Sequence, residues 1–379
     1  MTTRLLWTLA LLPLSLPLGC LGHSAVDGGP LRDGGDCPDA HAADDDAGAP
    51  TDSGAARVDA GEPGDGGGCG GPGVDDAGAP LPEPEGSFTQ HSAGGLSYRL
   101  YEPASADGAP LPLVVMLHGC TQDGAQLASA TRMNAHAEAG RFLVAYPDQP
   151  VSANPQRCWN WFRPSHQARG AGEPAAIIAV VDDVKARAEV DPARVYVAGL
   201  SSGAAMAVVL AATYPDVFDK AAVVAGLEYK AATSDTSAFT AMMSGGPSPV
   251  EAGRDAYAAM GEHARVVPLI VVHGTSDYVV AAINGAQVVS QWAVTNDLAV
   301  DGAEDGDIDD VPEELLERQV PGGRAYTVRR YHDESGAVVI EKIDVEGMGH
   351  AWPGGVGGSF TDPDGPDASA LVWSFFQAE

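Results

Sequence analysis

Three residues set far apart in this chain, Ser201, Asp277 and His350, supply a hydroxyl, a carboxylate and an imidazole in that chain order. A serine hydroxyl is a weak nucleophile at neutral pH. Attack on a carbonyl therefore needs an imidazole to take the proton and a carboxylate to orient and stabilise the resulting imidazolium. Ser201 stands in Gly199-Leu200-Ser201-Ser202-Gly203, between the apolar run 195–198 and the helix-like run 204–212. Glycines on both sides allow a strand and a helix to approach closely around a strained turn, which lifts the hydroxyl above the sheet. Asp277 follows the apolar run 268–272 in His273-Gly274-Thr275-Ser276-Asp277, and His350 follows the run ending at Val345 in Gly347-Met348-Gly349-His350-Ala351-Trp352. Each has an ordinary alternative: a chance G-x-S-x-G in a glycine-rich chain, a helix cap at Asp277, a loop histidine packed beside Trp352. Their order and common placement after strands favour one catalytic set.

Such chemistry also needs N–H donors aimed at the oxygen that becomes negative in the tetrahedral intermediate. The residue after the nucleophile, Ser202, offers one, and the loop after run 113–117 offers another from Cys120 or Thr121. His118 shapes that turn rather than carrying a proton. With the aromatic cluster Trp159-Asn160-Trp161 and with Trp352, it is expected to wall a substrate pocket; ordinary core packing is the alternative for the tryptophans.

The elements that must position these residues read as α/β. Runs 113–117, 142–146, 194–198, 221–225, 268–272 and 340–345 are apolar and strand-like, several of them continuous in Val, Ile and Leu, as strands buried on both faces require. Helical segments fit between them, giving a mostly parallel sheet with helices on both faces. Pro174 is placed to open a helix running to about residue 189, and Tyr214-Pro215 to close the one behind Ser201. Two segments, 226–262 and 296–323, fall outside the alternation and are expected to be surface insertions. The acidic run 301–310 in the second lacks EF-hand spacing, so a solvated loop rather than a metal site is expected.

Preceding this domain, the chain divides into an export signal (1–20), an acidic linker (21–86) and a catalytic region (87–379). Arg4 precedes an apolar stretch, interrupted by Pro13 and Pro17, that is too short to span a bilayer comfortably. It ends Leu16-Pro17-Leu18-Gly19-Cys20, similar to a lipobox whose cysteine is lipidated, with Pro17 where leucine is preferred. The linker is Gly, Ala, Asp and Pro with almost nothing to bury, so it is expected to be disordered. Asp46-Ala47-Gly48-Ala49-Pro50 recurs within it as Asp76-Ala77-Gly78-Ala79-Pro80. Of five cysteines, Cys37 and Cys69 share the linker while Cys120 and Cys158 share the folded part. Two disulfides are open to an exported chain, and free buried thiols are the alternative. A net charge of -31 speaks against nucleic acid and anionic membrane surfaces as partners, leaving a lipid anchor as the expected contact with membrane.

The motifs Leu117-His118-Gly119-Cys120-Thr121-Gln122, Arg157-Cys158-Trp159-Asn160-Trp161-Phe162, Gly199 to Gly203 and Gly347 to Gly355, with the tail Asp362 to Ser369, together carry a resemblance. From about Leu96 onward the chain resembles the extracellular poly(3-hydroxybutyrate) depolymerase esterase family. The resemblance implies an α/β-hydrolase fold, no cofactor, and relatives that cleave polyhydroxyalkanoates, feruloyl esters or acetylated xylan. It also assigns to Ser201, Asp277 and His350 the roles argued above. Where relatives commonly show Gly-Leu-Pro-Tyr-Gly, this chain has Gly226-Leu227-Glu228-Tyr229-Lys230. No polymer-binding domain is read after the catalytic region, so short hydroxyalkanoate oligomers or small esters are the expected substrates. Feruloyl or acetyl xylan ester hydrolysis, a serine peptidase of the prolyl oligopeptidase type, and a silent scaffold that only binds are the alternatives.

Overall fold

The computed structural model describes residues 81–378; the expected export signal, Cys20, Cys37, Cys69 and nearly all of the expected linker lie outside the described residues. Regular structure begins at Ser87, with strands and helices alternating through the middle of the chain. In chain order they are β1 (Ser87–Ala93), β2 (Leu96–Glu102), β3 (Leu111–Leu117), α1 (Gly124–Thr131), α2 (Met133–Gly140), β4 (Leu143–Asp148), α3 (Gly172–Arg187), β5 (Val190–Leu200) and α4 (Ser202–Thr213). There follow β6 (Lys220–Val224), α5 (Asp235–Ser244), α6 (Pro249–Met260), β7 (Leu269–Gly274), α7 (Ile283–Asp301), β8 (Glu314–Gln319), β9 (Ala325–His332) and β10 (Val338–Val345). Two short strands, β11 (Trp352–Pro353) and β12 (Thr361–Asp362), and α8 (Ala368–Gln377) complete the chain.

Ten strands form one sheet in the order β1-β2-β4-β3-β5-β6-β7-β10-β9-β8. From β4 to β10 neighbouring strands are parallel, and the two edges are antiparallel additions. The central strands are continuous apolar runs because both faces are covered. Leu113, Val115 and Leu117 of β3 pack into the core under α3, α4, α6 and α7, while Val114 and Met116 pack into the opposite core with α1, α2 and α8. Strands β5 and β7 divide in the same way, Val195/Val197 against Tyr196/Ala198 and Leu269/Val271 against Ile270/Val272. This is the mostly parallel α/β arrangement expected from the runs.

Helix α4 is buried at every one of its positions. A helix made of Ala, Val, Met and Leu on all sides is stable only where protein surrounds it, here the sheet, α3 and α6.

Two expectations are corrected. Segment 226–262 is no surface insertion: Leu227, Glu228 and Tyr229 are buried, and α6 packs on α7 and α4. Its small residues permit close helix contact, as at Gly253, where an added Cβ would lie 2.7 Å from the Gln291 carbonyl oxygen. Segment 296–323 begins inside α7, where buried Asn296 receives the Val267 N–H and donates to the Val267 carbonyl. Its acidic middle and the edge strand β8 that follows are largely exposed.

Candidate active site

Ser201 sits on the turn from β5 into α4 with φ 58 and ψ −118. Such a backbone costs on the order of 1–3 kcal/mol and persists only where surroundings over-determine it. The surroundings here are tight. A Cβ on Gly199 would lie 2.3 Å from the Gly203 carbonyl carbon, and one on Gly203 would lie 2.1 Å from the Leu117 carbonyl oxygen. Strand, turn and helix can therefore meet only with glycine at both places. The Ser201 N–H donates to the Val224 carbonyl at 2.9 Å, tying the turn to β6. Its Oγ makes no hydrogen bond among the described residues, and the residue stays 8% exposed.

Asp277 and His350 occupy loops after β7 and β10, neighbours in the sheet. The loops are laced together: Thr275 N–H donates to the Val345 carbonyl, Ser276 N–H to the Met348 carbonyl, and Gly347 N–H to Thr275 Oγ1. The outcome is a 2.7 Å contact between His350 Nδ1 and Asp277 Oδ2. Because the carboxylate accepts, Nδ1 carries a proton, which in the neutral ring leaves the lone pair on Nε2. Burial alone would raise the Asp277 carboxyl, but hydrogen bonds from His273 and His350, and the backbone N–H of Val280, hold it well below the usual carboxylate range.

His273 is a residue that sequence reasoning quoted but gave no role. It is fully buried at the end of β7, with Nε2 2.9 Å from the Val280 carbonyl and 3.5 Å from Asp277 Oδ2. Nε2 therefore donates. One proton holds the turn that supplies the Val279 and Val280 N–H groups to Asp277 Oδ1 and also faces the outer oxygen. A histidine directly before glycine at a strand end was the available signal, indistinguishable in sequence from a core histidine.

The third loop follows β3. His118 receives the Gln149 N–H at Nε2 and donates from Nδ1 to the Gly119 carbonyl, so both ring nitrogens are spent on shaping the turn. Burial pushes its pKa down, keeping it neutral. Cys120 and Cys158 are joined by a disulfide, with Cα atoms 4.2 Å apart. Of the two donors expected from this loop, Thr121 is corrected: its N–H is committed to the Gln156 carbonyl at 2.6 Å. The Cys120 N–H is without an acceptor among the described residues, as is that of Ser202, which heads α4 where no intrahelical partner exists.

The expected substrate-contacting residues are corrected as a group, since His118, Trp159, Asn160, Trp161 and Trp352 are each 4% exposed or less. Their surfaces are consumed internally. Trp159 packs on the His118 ring, Asn160 is held by Glu173 through its backbone N–H and its side-chain amide, the Trp161 carbonyl takes the Gln167 amide, and Trp352 donates to Ser369. The cluster stiffens the disulfide-linked loop from behind, and the Gln149 amide, bonded to the Cys158 carbonyl and Glu173, joins it to the His118 turn.

The family described as esterase PHB depolymerase matches residues 96–314, a span that includes Ser201 and Asp277 but ends before His350. Poly(3-hydroxyalkanoate) depolymerase C of Paucimonas lemoignei is 41% identical over 247 residues, 65% of this chain and 56% of that protein. Feruloyl esterase B of Neurospora crassa is 31% identical over 191 residues, 48% of this chain and 64% of that one. Among solved structures, an acetyl xylan esterase from Aspergillus awamori shares the fold with a TM-score of 0.62 at 23% identity, covering 77% of this chain and 99% of its own. The chain spans about half the length of the polyester depolymerases it matches.

Proposed function

The chain belongs to the esterase PHB depolymerase family, and from that premise we propose that it is a serine carboxylic-ester hydrolase acting on short hydroxyalkanoate esters or oligomers. Ser201 Oγ attacks the ester carbonyl while His350 Nε2 takes its proton, and Asp277 fixes the ring and stabilises the imidazolium. The N–H groups of Ser202 and Cys120 receive the developing oxyanion. The protonated ring then gives its proton to the leaving alcohol, and water, activated in turn by His350, releases the acyl group and restores Ser201. The observation that supports this reading most is the 2.7 Å contact of His350 Nδ1 with Asp277 beside a strained serine turn.

The test is fluorophosphonate labelling combined with hydrolysis of p-nitrophenyl butyrate. Wild type is expected to be labelled at Ser201, and S201A to lose turnover by roughly 10⁴-fold or more while remaining folded. Near-native hydrolysis by S201A would refute the assignment. A second reading, ester hydrolysis on acylated carbohydrates, draws support from the similarity to feruloyl esterase B. A panel of hydroxybutyrate oligomers, feruloyl sugars and acetyl xylan separates the two. Residues 1–20 are proposed to direct export, with lipid carried on Cys20 and the enzyme tethered through the 21–86 linker; metabolic labelling with palmitate, lost in C20A, tests this.

A further inference from the structure

Behind the loop that carries the Cys120 N–H lies a buried carboxyl for which the proposed chemistry has no use. Glu173 stands in the first turn of α3 and is 5% exposed. Its Oε2 accepts the Asn160 N–H at 2.7 Å, and its Oε1 accepts the side-chain amides of both Asn160 and Gln149. Among the described residues no lysine or arginine pairs with it, and His166 Nδ1, 3.5 Å from Oε1, is itself an acceptor for the Glu173 N–H. A carboxyl taken out of water without a cation needs donors to replace the water. Here the donors come from two separate segments, which are tied to each other through it.

Both segments lead to the same peptide. Gln149 directly follows β4; it donates its backbone N–H to His118 Nε2 and its side-chain amide also to the Cys158 carbonyl, each at 3.0 Å. His118 Nδ1 in turn donates to the Gly119 carbonyl at 2.8 Å. That carbonyl and the Cys120 N–H belong to one planar trans peptide and point in opposite directions. Fixing the carbonyl therefore aims the N–H. From the other side, Asn160 holds the segment whose Cys158 is bonded to Cys120 and whose Gln156 carbonyl accepts the Thr121 N–H. Asn160 Oδ1 accepts from Asn154 Nδ2, and Asn154 Oδ1 accepts the Gln156 N–H, which carries the restraint along that segment.

We propose that Glu173 is a positioning residue for the Cys120 N–H: through Gln149 and Asn160 it sets the orientation of the Gly119-Cys120 peptide, and so the strength with which the oxyanion is held. The proposal rests on ester hydrolysis at Ser201 and gives that site a supporting group that never meets the ester.

Glu173→Gln keeps the shape. Since both carboxyl oxygens face N–H donors, either orientation of the new amide sets donor against donor. Wild type, E173Q and Q149M are compared in p-nitrophenyl butyrate hydrolysis per fluorophosphonate-labelled site. Butyl trifluoromethyl ketone, whose serine adduct carries an oxyanion, serves as inhibitor. E173Q is expected to lower kcat about tenfold to a hundredfold with KM within about twofold, because an oxyanion donor acts in the transition state. The ketone Ki is expected to rise by a similar factor. Q149M keeps the backbone N–H to His118 and loses only the amide; it is expected to show the same pattern at about three- to tenfold, and it decides the matter should E173Q not fold. Loss of packing alone would reduce the number of labelled sites without moving the Ki. An unchanged ketone Ki in the folded variants, or a loss confined to KM, therefore overturns the positioning role and leaves the hydrolytic reading standing. A wild type that is neither labelled nor hydrolytic overturns both.

Discussion

Two buried carboxyls, on the loops after neighbouring strands β6 and β7, meet opposite fates. Asp277 receives the N–H groups of Val279 and Val280 on one oxygen and faces His350 and His273 with the other. Glu228 is 2% exposed, and neither of its oxygens has a hydrogen-bond partner among the described residues. Burial pushes Glu228 up from the ordinary 4.5 to about 8, with no charged group opposing it. The same burial acts on Asp277 and is overcome. Donors, not depth, therefore decide which carboxyl is an anion at neutral pH. The anion is the one that faces an imidazole.

Removing the charge of Asp277 breaks the contrast most severely. D277N leaves the shape but presents an amide that favours the wrong His350 tautomer, so kcat is expected to fall by about 10⁴-fold in p-nitrophenyl butyrate hydrolysis. A loss of under tenfold would mean that His350 is oriented by something else.

His273 sharpens the contrast by thinning the donors around Asp277 without touching the ester. H273L is expected to lower kcat by about tenfold to a hundredfold. It should also move the acid limb of the pH–rate profile upward, because one of the bonds holding Asp277 low is gone. H273Q, which can restore a donor near the Nε2 position, is expected to recover part of both effects. Unchanged acid behaviour in H273L would reduce His273 to packing.

Glu228 gives the smallest effect and one of opposite sign. A carboxyl whose folded pKa is raised keeps its proton while the unfolded chain has lost it, so stability is full below about pH 4.5 and declines as pH rises toward 8. Asp277 behaves inversely: its contribution is present above the ordinary 3.8 and is lost as pH falls below it. Urea midpoints of wild type should thus drop between pH 5 and 8, by a few kcal/mol in stability at most, and that slope should be flattened in E228Q. Equal slopes would mean that Glu228 finds a partner in solution.

What the sequence revealed and concealed follows the same physics. Strands β3 to β7 and β10 were legible because burial on both faces demands unbroken apolar runs. The antiparallel edges were not: β1 is exposed at most of its positions, and β8 and β9 alternate weakly. The Ala- and Gly-rich segment 226–262 reads as a surface insertion, since closely packed helices and exposed turns both favour small residues. In the candidate site, Ser201, Asp277 and His350 were singled out by glycine-bearing motifs after strands, and the Asp277–His350 contact is what the structure adds. The tryptophan cluster misled, because aromatic residues near a catalytic loop signal burial without saying whether a substrate or the core covers them.

The proposed convergence of Ser201, His350 and the two N–H groups is tested most directly by a crystal structure of the protein after reaction with a fluorophosphonate. The expected result is phosphorus bonded to Ser201 Oγ, its free oxygen roughly 3 Å from the N–H groups of Ser202 and Cys120, and His350 Nε2 within roughly 3 Å of an oxygen on the adduct. An adduct on another residue, or one on Ser201 with His350 turned away and neither N–H in reach, would contradict it.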